Sequence, residues 1–85
     1  MDANEIQKQI HEYIVENFLF GDDAALESDD QSFLEAGLID STGILELIQF
    51  LEETFEIEIE DEEMIPENLD SVERVSAFVQ RKAGE

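Results

Sequence analysis

The sequence contains no cysteine and no tryptophan, a single proline and a single histidine, and only four basic residues among 85. Without cysteine there are no disulfides and no thiolate metal sites, so any thiol chemistry needs a prosthetic group that supplies the sulfur. Four basic residues stand against 24 acidic ones, for a net charge of -20, which excludes binding to nucleic acid and to anionic membrane surfaces. The same charge favours partner proteins with basic docking surfaces.

Long apolar runs are also missing. No stretch approaches the length needed to span a bilayer, and residues 1–5 lack the basic and apolar regions of a signal peptide. We therefore expect no membrane insertion and a cytoplasmic location. A length of 85 residues with 42% hydrophobic content predicts one small domain, residues 1–85, with one modest core. We expect this domain to be a monomer.

Two segments show apolar residues at helical spacing. The first predicts a helix from Asn4 to Phe20, ended by Gly21. The second predicts a helix from Ser41 to Phe55, with Asp40 as its N-cap. The residues that form the apolar face of the first helix are Ile6, Ile10, Tyr13, Ile14 and Phe18.

The segments around these helices read as connections. Gly21–Asp40 is a long acidic loop, which we expect to be pinned by Leu26, Phe33 and Leu34 and to contain one helical turn at Ser32–Ala36. Its acids are Asp22, Asp23, Glu27, Asp29 and Asp30.

After the second helix, Glu56–Glu60 alternates polar and apolar residues. With no second strand to pair with, it is predicted to be an extended connector that buries Ile57 and Ile59. Asp61–Ile65 is predicted to be a short helix ended by Pro66.

A last amphipathic helix is predicted from Val72 to about Lys82. Asp70 and Glu73 have the spacing of a capping box at its start, and Ser71 is a further capping residue. The fold class is therefore all-α: a small irregular four-helix bundle with a long loop between helices one and two.

The candidate site is the stretch Gly37–Gly43. A serine at the first position of a helix, here Ser41, has its hydroxyl near unpaired N–H groups, which would stabilise a phosphate ester. Gly43 costs helix stability and is interpreted as leaving room for a large attached group. The alternative from the residues alone is an ordinary helix cap, as at Ser71.

The stretch Phe33–Ser41 resembles the entry to helix two of acyl carrier proteins, which carry a prosthetic arm on the serine of a Gly-apolar-Asp-Ser motif. The similarity continues in pattern and spacing to Lys82 and includes the acidity and length of the chain. It implies the acyl-carrier type of bundle, and a non-catalytic carrier rather than an enzyme.

The resemblance implies specific roles. A phosphopantetheinyl transferase with Mg²⁺ would attach 4'-phosphopantetheine from coenzyme A to Ser41, and the arm would carry acyl or aminoacyl groups as thioesters. Downstream partners would be an acyltransferase or synthase with basic docking surfaces. The residues implied in partner recognition are Asp40, Thr42, Leu45 and Glu46.

Two positions depart from carriers of fatty-acid synthesis. Thr42 and Gly43 stand where those proteins usually have Leu and often Asp, and Asp-Ser-x-Gly is more similar to D-alanyl and other aminoacyl carrier proteins. This resemblance implies an adenylate-forming ligase as the loading partner. Glu56 also replaces a glycine that the family often has after the second helix.

The sequence has three alternatives to a carrier. A calcium loop of the EF-hand type fails because its sixth and twelfth positions would be Glu27 and Phe33, or Ser28 and Leu34. An independent enzyme lacks a histidine beside the serine, since His11 is predicted to be a partly exposed residue of helix one. An acidic helical interaction module without a prosthetic arm remains the alternative to the carrier.

Overall fold

The structure is a computed structural model that describes residues 2–22, 24, 26 and 28–84. The part of the chain that it describes is helical and contains no strand. In chain order the elements are α1 (Ala3–Phe18), α2 (Phe33–Ala36), α3 (Ser41–Phe55), a 3₁₀ helix (Asp61–Glu63), α4 (Pro66–Leu69) and α5 (Val72–Ala83). The predicted all-α bundle with a long first loop is confirmed.

The core lies between the three long helices, and α1 packs most closely against α5. The apolar faces predicted from the sequence are buried, because each helix places residues three and four apart on one side. Among the side chains with no solvent exposure are Ile10 and Ile14 of α1, Leu47 and Leu51 of α3, and Val75 and Val79 of α5.

The first helix ends at Phe18, two residues before the predicted end at Phe20. Phe20 and Gly21 both have positive φ angles, 55° and 82°, which cannot continue a right-handed helix. The Gly21 N–H donates instead to the carbonyl of Val15 at 2.9 Å. The chain is thereby turned away from α1, and the Phe20 side chain is left 97% exposed.

The bounds of α3 and the extended connector after it are as predicted. Glu56 ends α3 with a left-handed φ of 55°, a conformation that favours glycine, which is a physical reason for the glycine that acyl carrier proteins often have there. In the connector Ile59 is buried and Ile57 packs against the core.

The segment after the connector differs from the prediction. Its helix is a 3₁₀ turn that ends at Glu63, and Pro66 begins α4 rather than only ending a helix. Proline suits the first helical position because its N–H would have no partner there and its φ is already helical. α4 was not predicted, because a proline that begins a helix looks the same in the sequence as one that ends a helix.

The predicted capping box at Asp70 and Glu73 is wrong. Ser71 is the N-cap of α5, and its Oγ accepts the backbone N–H of Arg74 at 3.1 Å. Asp70, one residue earlier, directs its carboxylate to α2 instead. The adjacent Asp and Ser therefore serve two different helices.

The loop between α1 and α3 is pinned as expected, although Leu34 is 54% exposed and does not anchor it. Leu26 and Phe33 are buried, and Phe33 has no solvent exposure. Two of the predicted loop acids, Asp23 and Glu27, lie outside the described residues.

Asp29 forms an unpredicted junction in this loop. Its carboxylate accepts from Gln7 Nε2 at 2.6 Å and pairs with His11 Nδ1 at 2.8 Å, and its carbonyl accepts the Glu73 N–H at 2.8 Å. The loop is thus joined to α1 and α5 together. His11 is partly exposed on α1, as predicted.

Candidate functional site

Ser41 is the first residue of α3, and its side chain is exposed. Asp40 precedes it as the predicted N-cap, with Oδ1 accepting the Gly43 N–H at 2.8 Å. The cap fixes the direction in which the chain enters the helix. The Ser41 hydroxyl is therefore open to an approaching enzyme at the positive end of the α3 dipole, where a phosphate ester is favoured.

The other residues expected in partner recognition lie on the same exposed end of α3. Asp40, Thr42 and Glu46 are exposed, and the Leu45 side chain is 62% exposed. Ser41 and Leu45 are four residues apart and so share one face of the helix, next to the face of Thr42 and Glu46. The structure brings all five residues together on one surface.

Gly43 has a different role from the one predicted. It is buried, and a Cβ built on it would lie 2.8 Å from Phe18 Cε1 and 2.8 Å from Ile39 Cγ2. Real Cβ atoms do not approach other atoms this closely. The interpretation that Gly43 leaves room for an attached group is wrong, because the space is taken by α1 and by the chain before α3.

A groove of about 240 Å³ opens beside Ser41. Its lining is mostly apolar, and two of its side chains, Leu34 and Ile65, are 54% and 41% exposed. A prosthetic arm attached to Ser41 fits this setting, since the hydroxyl is exposed and an apolar surface begins next to it. Besides Ser41, the groove is lined by Leu34, Ile44, Met64, Ile65, Pro66, Leu69 and Asp70.

Most of these groove residues were not singled out from the sequence as part of the site. They come from α2, α4 and the chain before α4, whose positions depend on tertiary contacts. The sequence does contain one sign that Asp70 has a second role. Asp70 and Ser71 are both capping residues, and only one of them can be the N-cap of α5, so the side chain of the other is available to another partner.

Residues 63–69 supply one wall of the groove through Met64, Ile65, Pro66 and Leu69, and three basic side chains fasten this segment to α5. Lys82 Nζ pairs with Glu63 Oε1 at 2.9 Å, Arg81 Nη2 donates to Asn68 Oδ1 at 2.9 Å, and Arg74 Nη1 donates to the Pro66 carbonyl at 3.3 Å. The Glu60 backbone N–H and the Lys82 ammonium both bond to the Glu63 carboxylate and lower its pKa.

Tyr13 supports α3 from the side of α1. Its ring stacks on Phe50 with centroids 3.9 Å apart, and its hydroxyl donates to the Glu46 carbonyl at 3.2 Å. Burial raises the pKa of Tyr13, and the nearby Glu46 carboxylate raises it further. The phenol is therefore neutral at physiological pH and able to donate this bond.

Within the part of the chain that the structure describes, no histidine lines the groove beside Ser41. His11, the one histidine of the sequence, pairs with Asp29 in the junction between α1 and the long loop. Within the described residues, no helix is long and apolar enough to cross a membrane.

Comparison with known proteins agrees with this geometry. Residues 18–79 match the family model described as the phosphopantetheine attachment site. The chain is 35% identical over 88 residues to an acyl carrier protein of Akkermansia muciniphila, covering 99% of this chain and 100% of the relative. It is 30% identical over 76 residues to a probable acyl carrier protein, PigG, of a Serratia species, covering 89% and 86%. The chain belongs to the phosphopantetheine-binding acyl carrier proteins, which are non-catalytic carriers.

Proposed function

We propose that Ser41 Oγ is the attachment point of 4'-phosphopantetheine and that residues 1–85 act as a single cytoplasmic carrier domain. The observation that supports this most directly is the placement of Ser41: an exposed hydroxyl at the first position of α3, beside an apolar groove, within the family match. Ser71, which follows an aspartate in the same way, is only 2% exposed and caps α5, so it is closed to modification.

In the proposed reaction a phosphopantetheinyl transferase, with Mg²⁺, brings coenzyme A to Ser41. The Ser41 hydroxyl loses its proton and forms a phosphate ester with the phosphopantetheinyl group, and the adenosine bisphosphate half of coenzyme A leaves. The thiol of the arm, once bound, supplies the sulfur that this cysteine-free chain lacks and holds cargo as a thioester. Asp40 keeps the N-terminus of α3 in place, and Asp40, Thr42, Leu45 and Glu46 provide the docking surface.

For the cargo, we propose an acyl or aminoacyl group supplied by an adenylate-forming ligase and used by a downstream acyltransferase or synthase. The sequence Asp40–Gly43, with its similarity to D-alanyl and other aminoacyl carriers, supports this choice. Each partner is expected to present a basic surface, because the carrier has a net charge of -20.

The test is the intact mass of the chain after incubation with coenzyme A, Mg²⁺ and a broad-specificity phosphopantetheinyl transferase. We expect the native chain to gain one phosphopantetheine and Ser41→Ala to gain none. Ser71→Ala is the matched control for the second Asp-Ser pair, and it is expected to be modified like the native chain. A gain in Ser41→Ala would overturn the assignment of the site.

The same material tests the loading step. The modified chain is incubated with ATP, candidate carboxylic and amino acids and purified adenylate-forming ligases, and the mass of the thioester product is read. Transfer of acyl groups only from preformed acyl-coenzyme A would contradict loading by a ligase.

A further inference from the structure

Asp70 joins two parts of the chain that are far apart in sequence. Its carbonyl accepts the Phe33 N–H at 2.7 Å, Oδ1 accepts the Leu34 N–H at 3.0 Å, and Oδ2 accepts the hydroxyl of Ser32. Its own N–H donates to the Pro66 carbonyl at 3.0 Å, which closes α4. One partly buried residue therefore bonds to three successive residues at the start of α2.

These bonds stabilise α2, which is too short to be stable alone. α2 has four residues, far fewer than an isolated helix needs to be stable in water. The Oγ of its own N-cap, Ser32, accepts the Glu35 N–H at 3.1 Å. The first two N–H groups of the helix are satisfied by Asp70, so the position of α2 depends on that residue.

The position of α2 determines the surface next to Ser41. Leu34 of α2 is on one side of the groove and Ile65 is on another, and both are exposed large hydrophobic side chains. A second copy of this chain is not a suitable occupant, since each copy has a net charge of -20. Apolar side chains on a strongly acidic molecule fit a partner with an apolar contact inside a basic surface.

We propose that Asp70 is a positioning residue for docking of the phosphopantetheinyl transferase, because it holds α2 and Leu34 in place beside Ser41. The inference rests on the proposed attachment at Ser41. The transferase is the partner concerned because its reacting atom is Ser41 Oγ itself, so it must contact the residues around that atom. A preformed surface saves the cost of ordering α2 on binding, which lowers KM.

The experiment measures initial rates of modification at varied carrier concentration for the native chain, Asp70→Ala and Asp70→Asn. In Asp70→Ala we expect KM to rise about tenfold, the scale of losing hydrogen bonds to a charged group. kcat should change less than about twofold, because the Asp40 cap and Ser41 are untouched. Asp70→Asn keeps an oxygen for the Leu34 N–H, so its KM should stay within about threefold of native.

Matched control variants distinguish the effect of the position of Asp70 from the effect of removing one negative charge. Asp61→Asn and Asp61→Ala remove the same charge from an exposed residue that does not line the groove, and KM should not change. Hydrogen exchange gives a readout that does not depend on the transferase: the Leu34 amide, which loses its acceptor, should exchange faster in Asp70→Ala. Amides in the middle of α1 and α5 should keep their protection.

An unchanged KM in Asp70→Ala, with the native chain modified normally, would overturn the docking role and leave the attachment site standing. A native chain that gains no mass would overturn both proposals. If Asp70→Ala does not fold, Ser32→Ala removes one of the three bonds to Asp70 together with the cap on the Glu35 N–H, and we expect about a threefold rise in KM. An unchanged KM in that variant would equally overturn the role of Asp70.

Discussion

Gly43 shows how packing determines the identity of a single residue beside Ser41. In an exposed helix, alanine in place of glycine stabilises by about 1 kcal/mol. Here the added methyl group would meet Phe18 and Ile39 at 2.8 Å each. Because Gly43 has no side chain, the Phe18 ring of α1 packs directly against the backbone of α3 at this position.

Replacing Gly43 by alanine is therefore expected to destabilise the domain. Overpacking a core costs about 1–3 kcal/mol, which exceeds the gain in helix propensity, so the net loss is about 1 kcal/mol. For a domain of this size the melting temperature should fall by about 4–8 °C, measured by circular dichroism. Thr42→Ala, at the exposed neighbouring position, is the control. A melting temperature that rises in Gly43→Ala would contradict the overpacking argument.

At the scale of elements, the long helices could be predicted and the short ones only in part. α1, α3 and α5 each bury an apolar face at helical spacing, and this periodicity is visible in the sequence. A helical turn was also predicted at Ser32–Ala36, and α2 lies there with Ser32 as its N-cap. What the sequence did not show is that α2 depends on Asp70, 36 residues after Leu34.

The same division applies to the candidate site. Asp40, Ser41 and Leu45 share one helix end, so their proximity follows from local spacing. Leu34, Ile65 and Asp70 reach the groove through contacts between distant segments, which no local pattern contains. Pro66 was predicted to end a helix, whereas in the structure it begins α4. Proline does both, and only its tertiary environment distinguishes the two cases.

The Glu63–Lys82 pair, which joins the groove wall to α5, predicts a pH dependence. The pKa of Glu63 is lower in the folded chain than its usual value of 4.5, so the folded state favours the ionised form. Its contribution to stability is full above about pH 4.5 and is lost as the pH falls through the lower folded pKa. We expect Glu63→Gln to be less stable than native at pH 7, with the difference shrinking towards zero in acid.

Urea unfolding of both chains between pH 7 and pH 3 measures this difference. Glu62→Gln, at the exposed neighbouring carboxyl, corrects for the removal of one negative charge from a strongly acidic molecule. A difference between native and Glu63→Gln that stays constant over the whole range would contradict the ionised pair.

Across the whole molecule the few basic residues are unevenly distributed. Three of the four basic residues, Arg74, Arg81 and Lys82, are in α5, and each of them bonds to a residue between Glu63 and Asn68. The few cations are thus concentrated where they hold the groove wall. With 24 acidic residues against four basic ones, the carrier presents a strongly negative surface to its partners.

This imbalance predicts that the carrier gains stability with salt. Unfolding separates 24 acidic side chains that the folded chain holds close together, so their repulsion favours the unfolded state. Added NaCl screens the repulsion over about 10 Å at 0.1 M, and Mg²⁺ does so at lower concentration. The melting temperature should rise between 10 mM and 200 mM NaCl, and the rise should be smaller at pH 4, where many carboxyls are protonated. Since salt also weakens the Glu63–Lys82 pair, a flat or falling melting temperature would mean that the pairs at α5, rather than the repulsion, dominate the electrostatic free energy of folding.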